Sequence, residues 1–436
     1  MEQRIIDQLM KKKYISLLIV GLLSFTLACQ RSKVVFEEGH PKAEKLDSLF
    51  HYLYAEDLFN GAVAVVDEGE LIFKKAYGLA NLEDSSAFET NTAMEVASVS
   101  KQFTASAIMR LAHEHKLSIT DDIQAYLPDG FPYEGITIKH LLSHTSGMPD
   151  YTGYFIDHWP EDQLANNKDI VAYFIKHQPP VKFAPGTDYD YSNTGYVLLA
   201  EIVESASGMP LDTYLEDELF GSFGLEHAGF YQRAEIYGMS HYAPSFRWSA
   251  DSCRYIRPEH LPGKAYYSFL SDRLGPGRLS LSVEDLLRWD RLLYTDDFLS
   301  EENKESMFTP VEYEGVDTDY GFGWHNYEDD QVGPVSYHTG SWAGNKSYIK
   351  RFRAVESTVI LLNNTQSPYM TEIRNAVDAI VTERSLKPIH PSLKEQFTKL
   401  SCQQGFDVEG WLEGIDLQEY SFTAEELDEI KDTINH

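Results

Sequence analysis

The strand-forming patterns of this chain lie near its two ends, and helical patterns fill the region between them. Apolar runs at residues 61–66 and 71–73 flank an Asp-Glu-Gly turn at 67–69, a combination that indicates a hairpin. Further strand patterns follow one another with short connections at Val335–His338, Tyr348–Phe352 and Thr358–Leu362. Together they predict an α+β fold. Both chain ends would form one central antiparallel sheet, with helices on its faces and a mostly helical subdomain between them.

A short apolar segment near the N-terminus is typical of an export signal. Lys11–Lys13 precede the mostly apolar run Tyr14–Ala28, which is too short to cross a hydrocarbon core of roughly 30 Å as a helix. The run ends in Thr26-Leu27-Ala28-Cys29, which resembles the lipobox of bacterial lipoproteins. We therefore predict a signal peptide at 1–28 and lipid attachment at Cys29. The protein would be exported, as a periplasmic protein or a membrane-anchored lipoprotein of the bacterial envelope.

Two alternatives to the lipoprotein interpretation stay open. Thr26 occupies a position where lipoboxes usually carry Leu or Val, so the signal peptide could be cleaved without lipidation. The apolar run could also be a buried N-terminal helix of a cytosolic protein.

The remaining chain divides into three parts by composition. Residues 29–41 are polar and are predicted to be a tether. Residues 42–385 carry the sheet and helix patterns of one large domain. Residues 386–436 are predicted to be a helical C-terminal appendage, in which Thr423 and Glu426 have the spacing of a capping box.

Charge and cysteine content exclude several classes of function. The 37 basic and 68 acidic side chains give a formal net charge of −31, which repels phosphate backbones and makes nucleic acid an unsuitable partner. Three cysteines are too few for a disulfide scaffold or a Cys-rich metal site. The pattern leaves open whether Cys253 and Cys402 pair. The chain also lacks Gly-x-Ser-x-Gly, His-Glu-x-x-His, P-loop and Gly-x-Gly-x-x-Gly signatures, so we expect neither a metal nor another cofactor.

One tetrapeptide has the spacing of an activated nucleophile. In Ser98-Val99-Ser100-Lys101, residues three apart share one face of a helix, so the lysine amine would lie beside the serine hydroxyl. Burial favours the neutral amine, which can accept the serine proton. The alternative is that Ser98 only caps the helix. Ser347-Tyr348-Ile349-Lys350 also matches, but it lies in a predicted strand, where residues three apart point to opposite faces.

Two further motifs could complete such a site. Tyr191-Ser192-Asn193 lies in a polar stretch that could present a phenol and an amide to a cleft, or could be an ordinary turn. The segment 338–341, His-Thr-Gly-Ser, closes a predicted strand, whose edge can offer backbone groups to an extended ligand. In that setting a glycine would let the ligand approach closely. The alternative for His338 is a surface histidine with no role in binding.

In this order, the three motifs resemble those of the penicillin-recognising serine hydrolases. The resemblance is to the branch that contains class C β-lactamases, DD-peptidases, D-aminopeptidases and esterases. Three other blocks agree with it, at Leu141–Gly147, Val283–Trp289 and Tyr320–Trp324. The resemblance covers roughly residues 41 to 385 and implies a β-lactamase/DD-peptidase-like fold for that domain. It leaves the C-terminal appendage unexplained.

Carried onto this sequence, the resemblance implies a role for each motif. Ser98 would be the acylated nucleophile, Lys101 its partner and Tyr191 the group that moves the proton to the leaving group. The backbone N–H groups of Ser98 and Ser341 would form the oxyanion hole. The residues implied in substrate and oxyanion contacts are Asn193, His338, Thr339, Gly340 and Ser341. His144 also lies in a matching block and is interpreted as structural.

Two departures from the family pattern bear on the substrate. Class C β-lactamases usually carry Lys-Thr-Gly where this chain has His338-Thr339-Gly340, and a neutral histidine supplies no fixed charge for a substrate carboxylate. Arg278 replaces a glycine of the family and could contact a carboxylate or be a solvated surface charge; the second is favoured.

These observations predict an exported serine hydrolase that forms an acyl-enzyme on Ser98 and cleaves a small amide or ester. The substrate would be a small molecule or a peptide, as for a DD-peptidase, a D-aminopeptidase or an esterase. The alternatives are a class C-like β-lactamase and, in a different class, a catalytically inactive lipoprotein that binds peptidoglycan fragments.

Overall fold

The computed structural model describes residues 35–403 and 405–433. The predicted signal peptide, Cys29 and residues 30–34 of the predicted tether lie outside these residues. Val35 and Phe36, inside the predicted tether, form a short strand that pairs with Lys74 and Phe73. This end of the tether is therefore part of the sheet.

The strands lie mainly at the two ends of the chain. They are β1 (Val35–Phe36), β2 (Gly61–Asp67), β3 (Glu70–Tyr77), β4 (Leu79–Asn81), β5 (Ser86–Ala87), β6 (Met94–Glu95), β7 (Gly229–Phe230), β8 (Arg247–Ser249), β9 (Arg254–Ile256), β10 (Leu279–Leu281), β11 (His325–Asp329), β12 (Gly333–Trp342), β13 (Asn345–Phe352) and β14 (Ser357–Asn363). Within the described residues, seven of them form one antiparallel sheet in the order β1-β3-β2-β14-β13-β12-β11. The prediction that both chain ends build one central antiparallel sheet is confirmed.

Helices fill the middle of the chain and return at its end. They are α1 (Pro41–Ala55), α2 (Ser100–His113), α3 (Ile138–Leu142), α4 (Thr152–His158), α5 (Asn167–His177), α6 (Asn193–Ser207), α7 (Leu211–Leu215), α8 (Gly221–Phe223), α9 (Arg233–Ile236), α10 (Tyr266–Phe269), α11 (Val283–Leu292), α12 (Glu301–Met307), α13 (Met370–Val381), α14 (Leu393–Leu400), α15 (Val408–Gly414) and α16 (Ala424–Asp432). A 3₁₀ turn at Ala97–Val99 leads into α2. None of the described helices is both long and apolar enough to cross a membrane.

The sheet separates two apolar layers because its side chains alternate between faces. On β14, Val359 and Leu361 pack into one layer together with α1 and α13. Their neighbours Ile360 and Leu362 point to the larger layer, which contains α2, α6 and α11. Helix α2 is buried along most of its length, which places its N-terminal end deep between the sheet and the helical subdomain.

The C-terminal appendage packs on the outside of this domain. Cys402, just after α14, forms a disulfide with Cys253 in the hairpin of β8 and β9. Lys399 on α14 forms an ion pair of 2.6 Å with Asp57. The predicted capping box is present at the start of α16. The Thr423 side chain accepts a hydrogen bond from the backbone N–H of Glu426, and the Glu426 side chain accepts one from the backbone N–H of Thr423. The pairing of Cys253 and Cys402, left open by the sequence, is thus present in the structure.

Candidate active site

Ser98 lies in the 3₁₀ turn immediately before α2. The preceding residue, Ala97, has a φ of +48°, a left-handed conformation that is uncommon outside glycine and is found where the surrounding structure imposes it. The residue flanking the start of α2 is Val99, and no side chain caps this helix. The alternative that Ser98 merely caps the helix is therefore wrong.

Lys101 is fully buried one turn after Ser98. Its Nζ lies 3.2 Å from Ser98 Oγ, 3.0 Å from Asn193 Oδ1 and 3.0 Å from the carbonyl oxygen of Pro276. The two carbonyl-type oxygens can only accept hydrogen bonds. A neutral amine at this position would therefore donate to both of them and direct its lone pair at the Ser98 hydroxyl.

The surroundings of Lys101 favour that neutral form. Burial holds the pKa of Lys101 well below its usual range, and the positive charge of Arg273 lowers it further, while Asp150 acts in the opposite direction. Arg273 is itself buried, with its guanidinium carbon 3.9 Å from the centre of the Trp342 ring. Nothing in the sequence around Arg273 indicates this proximity, because it depends on the tertiary fold.

Tyr191 and Asn193 reach the same point from the start of α6. The backbone N–H of Asn193 donates to Asp150 Oδ2 at 2.8 Å, and that of Ser192 donates to His144 Nδ1 at 3.2 Å. These bonds fix the segment so that the Tyr191 ring lies 4.8 Å from Lys101 Nζ. Burial raises the pKa of Tyr191, and a hydrogen bond with Ser98 offsets part of that rise. Tyr191 is thus a neutral phenol next to Ser98 and Lys101.

His144 lies beneath this group, in keeping with its interpretation as a structural residue. Its ring is buried, with its centre 4.2 Å from that of Tyr191 and 4.5 Å from that of Tyr320. Burial holds the pKa of His144 well below its usual range. The ring therefore supports Tyr191 as an uncharged aromatic surface.

Strand β12 forms the other wall of the site. Strand β11 pairs with β12 only as far as Tyr337, so in the described structure the edge from His338 to Trp342 has no strand partner on that side. Thr339 is half-buried and Ser341 is exposed on this edge. The sequence-based expectation of a strand edge next to the nucleophile agrees with this arrangement.

His338 is buried rather than displayed at the surface. It is 2% exposed; its Nδ1–H donates to the Thr339 carbonyl oxygen at 2.7 Å, and its Nε2 lies 2.9 Å from the Tyr320 hydroxyl. Because a carbonyl oxygen can only accept a hydrogen bond, Nδ1 must carry the ring proton. Burial holds the pKa of His338 well below its usual range, and nearby His325 and Lys101 add to the effect. His338 thus positions β12 as a neutral ring, and the alternative of a surface histidine is wrong.

Gly340 is needed for a different contact from the one expected. A Cβ at this position would lie 2.1 Å from Ser347 Oγ and 2.2 Å from the Val96 carbonyl oxygen. The absence of a side chain therefore lets the turn before Ser98 approach the sheet, whereas the sequence suggested close approach of a ligand.

Two residues of β13 hold the same turn and were missed by motif reasoning. Ser347 Oγ donates to the Val96 carbonyl oxygen at 2.6 Å, and Asn345 Nδ2 donates to the Glu95 carbonyl oxygen at 3.1 Å. Both bonds join residues that are distant in sequence. The Ser-x-x-Lys pattern at Ser347 drew attention to that residue but gave no indication of this role.

Arg278 is neither a solvated charge nor a free ligand for substrate. Its guanidinium forms an ion pair of 3.0 Å with Asp272, and its side chain is 11% exposed. Its backbone N–H donates to Glu95 Oε1 at 3.2 Å. The expectation of a solvated surface charge is therefore wrong, because Asp272 pairs with this cation and little of its side chain reaches solvent.

The group as a whole has the residue types that nucleophilic chemistry requires. Ser98, Lys101, Tyr191 and Asn193 meet at one point, with the free edge of β12 as the neighbouring wall. Among the described residues, no cluster of His, Cys, Asp or Glu has the composition of a metal site. A hydroxyl beside a buried amine and a phenol is the arrangement of an activated serine with its own proton carriers.

Several known proteins are similar to this chain. The family model described as Beta-lactamase matches residues 46–382. Penicillin-binding protein 4* of Bacillus subtilis (strain 168) is 36% identical over 338 residues, which cover 77% of this chain and 74% of that protein. A D-aminopeptidase of Brucella anthropi is 24% identical over 62% of this chain and 49% of its own length. The crystal structure of a penicillin binding protein from Bacillus halodurans matches with a TM-score of 0.66 and 25% identity, over 76% of this chain and 98% of that one.

Proposed function

The chain belongs to the Beta-lactamase family and is a serine hydrolase, and from this premise we propose that it forms an acyl-enzyme on Ser98. The substrate in this proposal is a small amide or ester, of the kind that DD-peptidases, D-aminopeptidases and esterases cleave. The observation that carries the proposal is the distance of 3.2 Å between Ser98 Oγ and a fully buried lysine amine.

Acylation begins with proton transfer from Ser98. The neutral Lys101 amine accepts the hydroxyl proton as Oγ attacks the substrate carbonyl. The oxygen that becomes negative is stabilised by the backbone N–H groups of Ser98 and Ser341. Loss of one such donor typically costs about 3 kcal/mol of transition-state stabilisation. Asn193 holds the amine in place through its bond to Nζ.

Tyr191 completes the proton path to the leaving group. Because burial raises its pKa while that of Lys101 is lowered, Lys101 is the better base in the free enzyme and Tyr191 the proton donor. The phenol gives its proton to the leaving nitrogen or oxygen and regains one from Lys101. In deacylation, water attacks the ester on Ser98 and the same groups carry its proton back to Oγ.

The alternatives are weaker on specific grounds. A β-lactamase remains the second candidate because relatives are named penicillin-binding proteins, but the neutral His338 supplies no charge where class C enzymes usually carry lysine. An inactive binding protein does not need the meeting of Ser98, Lys101 and Tyr191. Intact-protein mass spectrometry after a fluorophosphonate and, separately, after a penicillin distinguishes the three. The proposal expects an adduct with the fluorophosphonate. A lasting penicillin adduct would favour the peptidase type. No adduct with either reagent would contradict the proposal.

Export is a separate part of the proposal. It is supported by the basic and apolar residues before Cys29 and by the disulfide between Cys253 and Cys402, since such bonds persist in oxidising compartments. Cys29→Ser should move a lipid-anchored protein from the membrane fraction to the soluble envelope fraction. Unchanged fractionation would contradict lipidation at Cys29.

A further inference from the structure

Arg273 is a buried cation without a carboxylate partner. It is 6% exposed, and in the part of the chain that the structure describes no carboxylate oxygen lies within 4.0 Å of its guanidinium. Two other arginines of this part are equally buried, Arg233 and Arg351, and they pair with Glu259 at 2.8 Å and with Asp290 at 2.7 Å. Because an unpaired charge in the interior is costly, the position of Arg273 indicates a constraint other than stability.

Neutral groups hold Arg273 in place instead. Its Nη1 donates to the Leu270 carbonyl oxygen, and its guanidinium carbon lies 3.9 Å from the centre of the Trp342 ring. The face of a tryptophan attracts a cation, and more strongly where water is excluded. Trp342 is the last residue of β12 and follows Ser341 on the free edge of that strand. The guanidinium is therefore fixed at the end of the strand that forms one wall of the site.

The same guanidinium lies close to the 3₁₀ turn before α2. A Cβ on Gly277 would lie 3.7 Å from Arg273 Nη2 and 3.9 Å from the carbonyl oxygen of Ala97. The residue before Gly277 is Pro276, whose carbonyl oxygen accepts from Lys101 Nζ at 3.0 Å. Gly277 therefore adjoins both the guanidinium and the turn, beside the carbonyl group that holds the Lys101 amine.

The side chains that interact with the Lys101 amine include two opposite charges. The titratable and charged groups around it are Asp150, Arg273, His144, His338, Tyr191 and Tyr196. The histidines are uncharged because burial lowers their pKa values, and the tyrosines are uncharged because burial raises theirs. Burial lowers the pKa of Lys101 most, Arg273 lowers it further, and Asp150 raises it.

Asp150 has a second role that keeps its carboxylate near the site. It accepts from the backbone N–H of Asn193 at 2.8 Å and so fixes the start of α6. Its negative charge favours the ammonium form of Lys101, which cannot accept a proton. A nearby cation that offsets this charge therefore preserves the base.

We propose that Arg273 is a positioning residue for the proposed reaction: it fixes a positive charge against the Trp342 ring that offsets the negative charge of Asp150. This inference rests on the proposed function, because it concerns the proton that Lys101 accepts from Ser98. Arg273 acts through Lys101 and takes no part in the bonds that form and break.

The pH profile of ester hydrolysis tests this role. In the parent, kcat/KM for a p-nitrophenyl ester should fall as the pH drops through the pKa of Lys101, since the protonated amine cannot act as a base. Arg273→Met should move this acidic limb about one pH unit upward, which lowers kcat/KM about tenfold below the limb and little above it. Arg273→Lys keeps the charge and should leave the limb within about 0.3 pH units of the parent.

Asp150→Asn supplies the opposite change. The amide oxygen can still accept from the Asn193 backbone, so the limb should move to lower pH by loss of the negative charge alone. The double variant Asp150→Asn/Arg273→Met should return the limb close to its position in the parent. Because it buries neither charge, this variant also gives a result if Arg273→Met alone does not fold.

An exposed arginine offers a matched control. Arg254→Met removes the same charge from the surface and should leave the pH profile unchanged. A limb that stays in place in Arg273→Met, or a loss of kcat/KM that is equal at every pH, would overturn the inference while leaving the hydrolase intact. A double variant whose limb lies as low as that of Asp150→Asn alone would overturn it as well. No ester hydrolysis by the parent at any pH would contradict the proposed function and the inference with it.

Discussion

The same tetrapeptide pattern, Ser-x-x-Lys, occurs in two regions of this molecule with opposite results. At the start of α2 the two side chains meet, with Lys101 Nζ 3.2 Å from Ser98 Oγ. In β13 they separate: Ser347 Oγ bonds to Val96 on one side of the sheet, and Lys350 Nζ reaches Asp378 on the other, at 2.7 Å. The backbone period, and not the residue types, decides whether the pair can react.

The two lysines also differ in charge. Burial without a nearby carboxylate in contact lowers the pKa of Lys101. Burial acts on Lys350 in the same direction, but the ion pair with Asp378 outweighs it and raises the pKa. One lysine is therefore prepared to accept a proton, whereas the other stays a structural cation.

The largest expected effect is a loss of kcat, and it distinguishes Ser98 from Ser347. Ser98→Ala should lower kcat for a p-nitrophenyl ester by about 10⁴-fold or more, because it removes the oxygen that Lys101 would deprotonate for attack. The measurement is steady-state hydrolysis, with a thermal melt to show that the variant is folded. Substantial activity in Ser98→Ala would show that the nucleophile lies elsewhere.

Tyr191→Phe removes the proton donor but keeps the ring against His144. We expect kcat to fall by about 10²- to 10⁴-fold with little change in KM, since the phenol acts on the leaving group and not on ground-state binding. Parallel values of kcat and KM for both proteins test this. An unaltered kcat would remove Tyr191 from the mechanism.

The pH dependence of acylation reports the protonation of Lys101. Because its pKa is lowered, the amine is neutral at pH values where an ordinary lysine is charged, and activity is lost only as the pH falls through the lowered pKa. Below that point kcat/KM should fall about tenfold for each pH unit. This acidic limb of the pH profile should lie well below pH 10. Its disappearance in Lys101→Met would assign it to the Lys101 amine. A limb at the ordinary lysine pKa would contradict a neutral Lys101.

The smallest effect concerns the serine of the second tetrapeptide. Ser347→Ala removes the bond to Val96, two residues before Ser98, and should lower kcat about fivefold with KM unchanged, whereas Ser347→Thr should restore it. Lys350→Met is the matched control. It should leave kcat within about twofold but lower the free energy of unfolding by about 3 kcal/mol, since the largely buried Asp378 loses its cation. Equal losses of kcat in the alanine and threonine variants would contradict positioning by this hydroxyl.

The sequence was informative where the relevant contacts are local. The sheet from both chain ends follows from strand patterns, and the approach of Lys101 to Ser98 follows from a spacing of three residues at the start of a helix. The roles of Gly340, His338 and Ser347 could not be predicted, because each depends on which distant segment packs against it. A side chain at Gly340 would collide with the turn before Ser98, His338 is buried against Tyr320, and Ser347 donates to the Val96 carbonyl oxygen.

The most direct test of the account is to locate the serine that becomes acylated. The purified protein is labelled with a fluorophosphonate, digested and mapped by tandem mass spectrometry, alongside Ser98→Ala and Ser347→Ala. We predict one label per chain on Ser98, present in Ser347→Ala and absent in Ser98→Ala. A label on Ser347 or on any other residue, or a label that persists in Ser98→Ala, would contradict the central claim that the buried Lys101 activates Ser98.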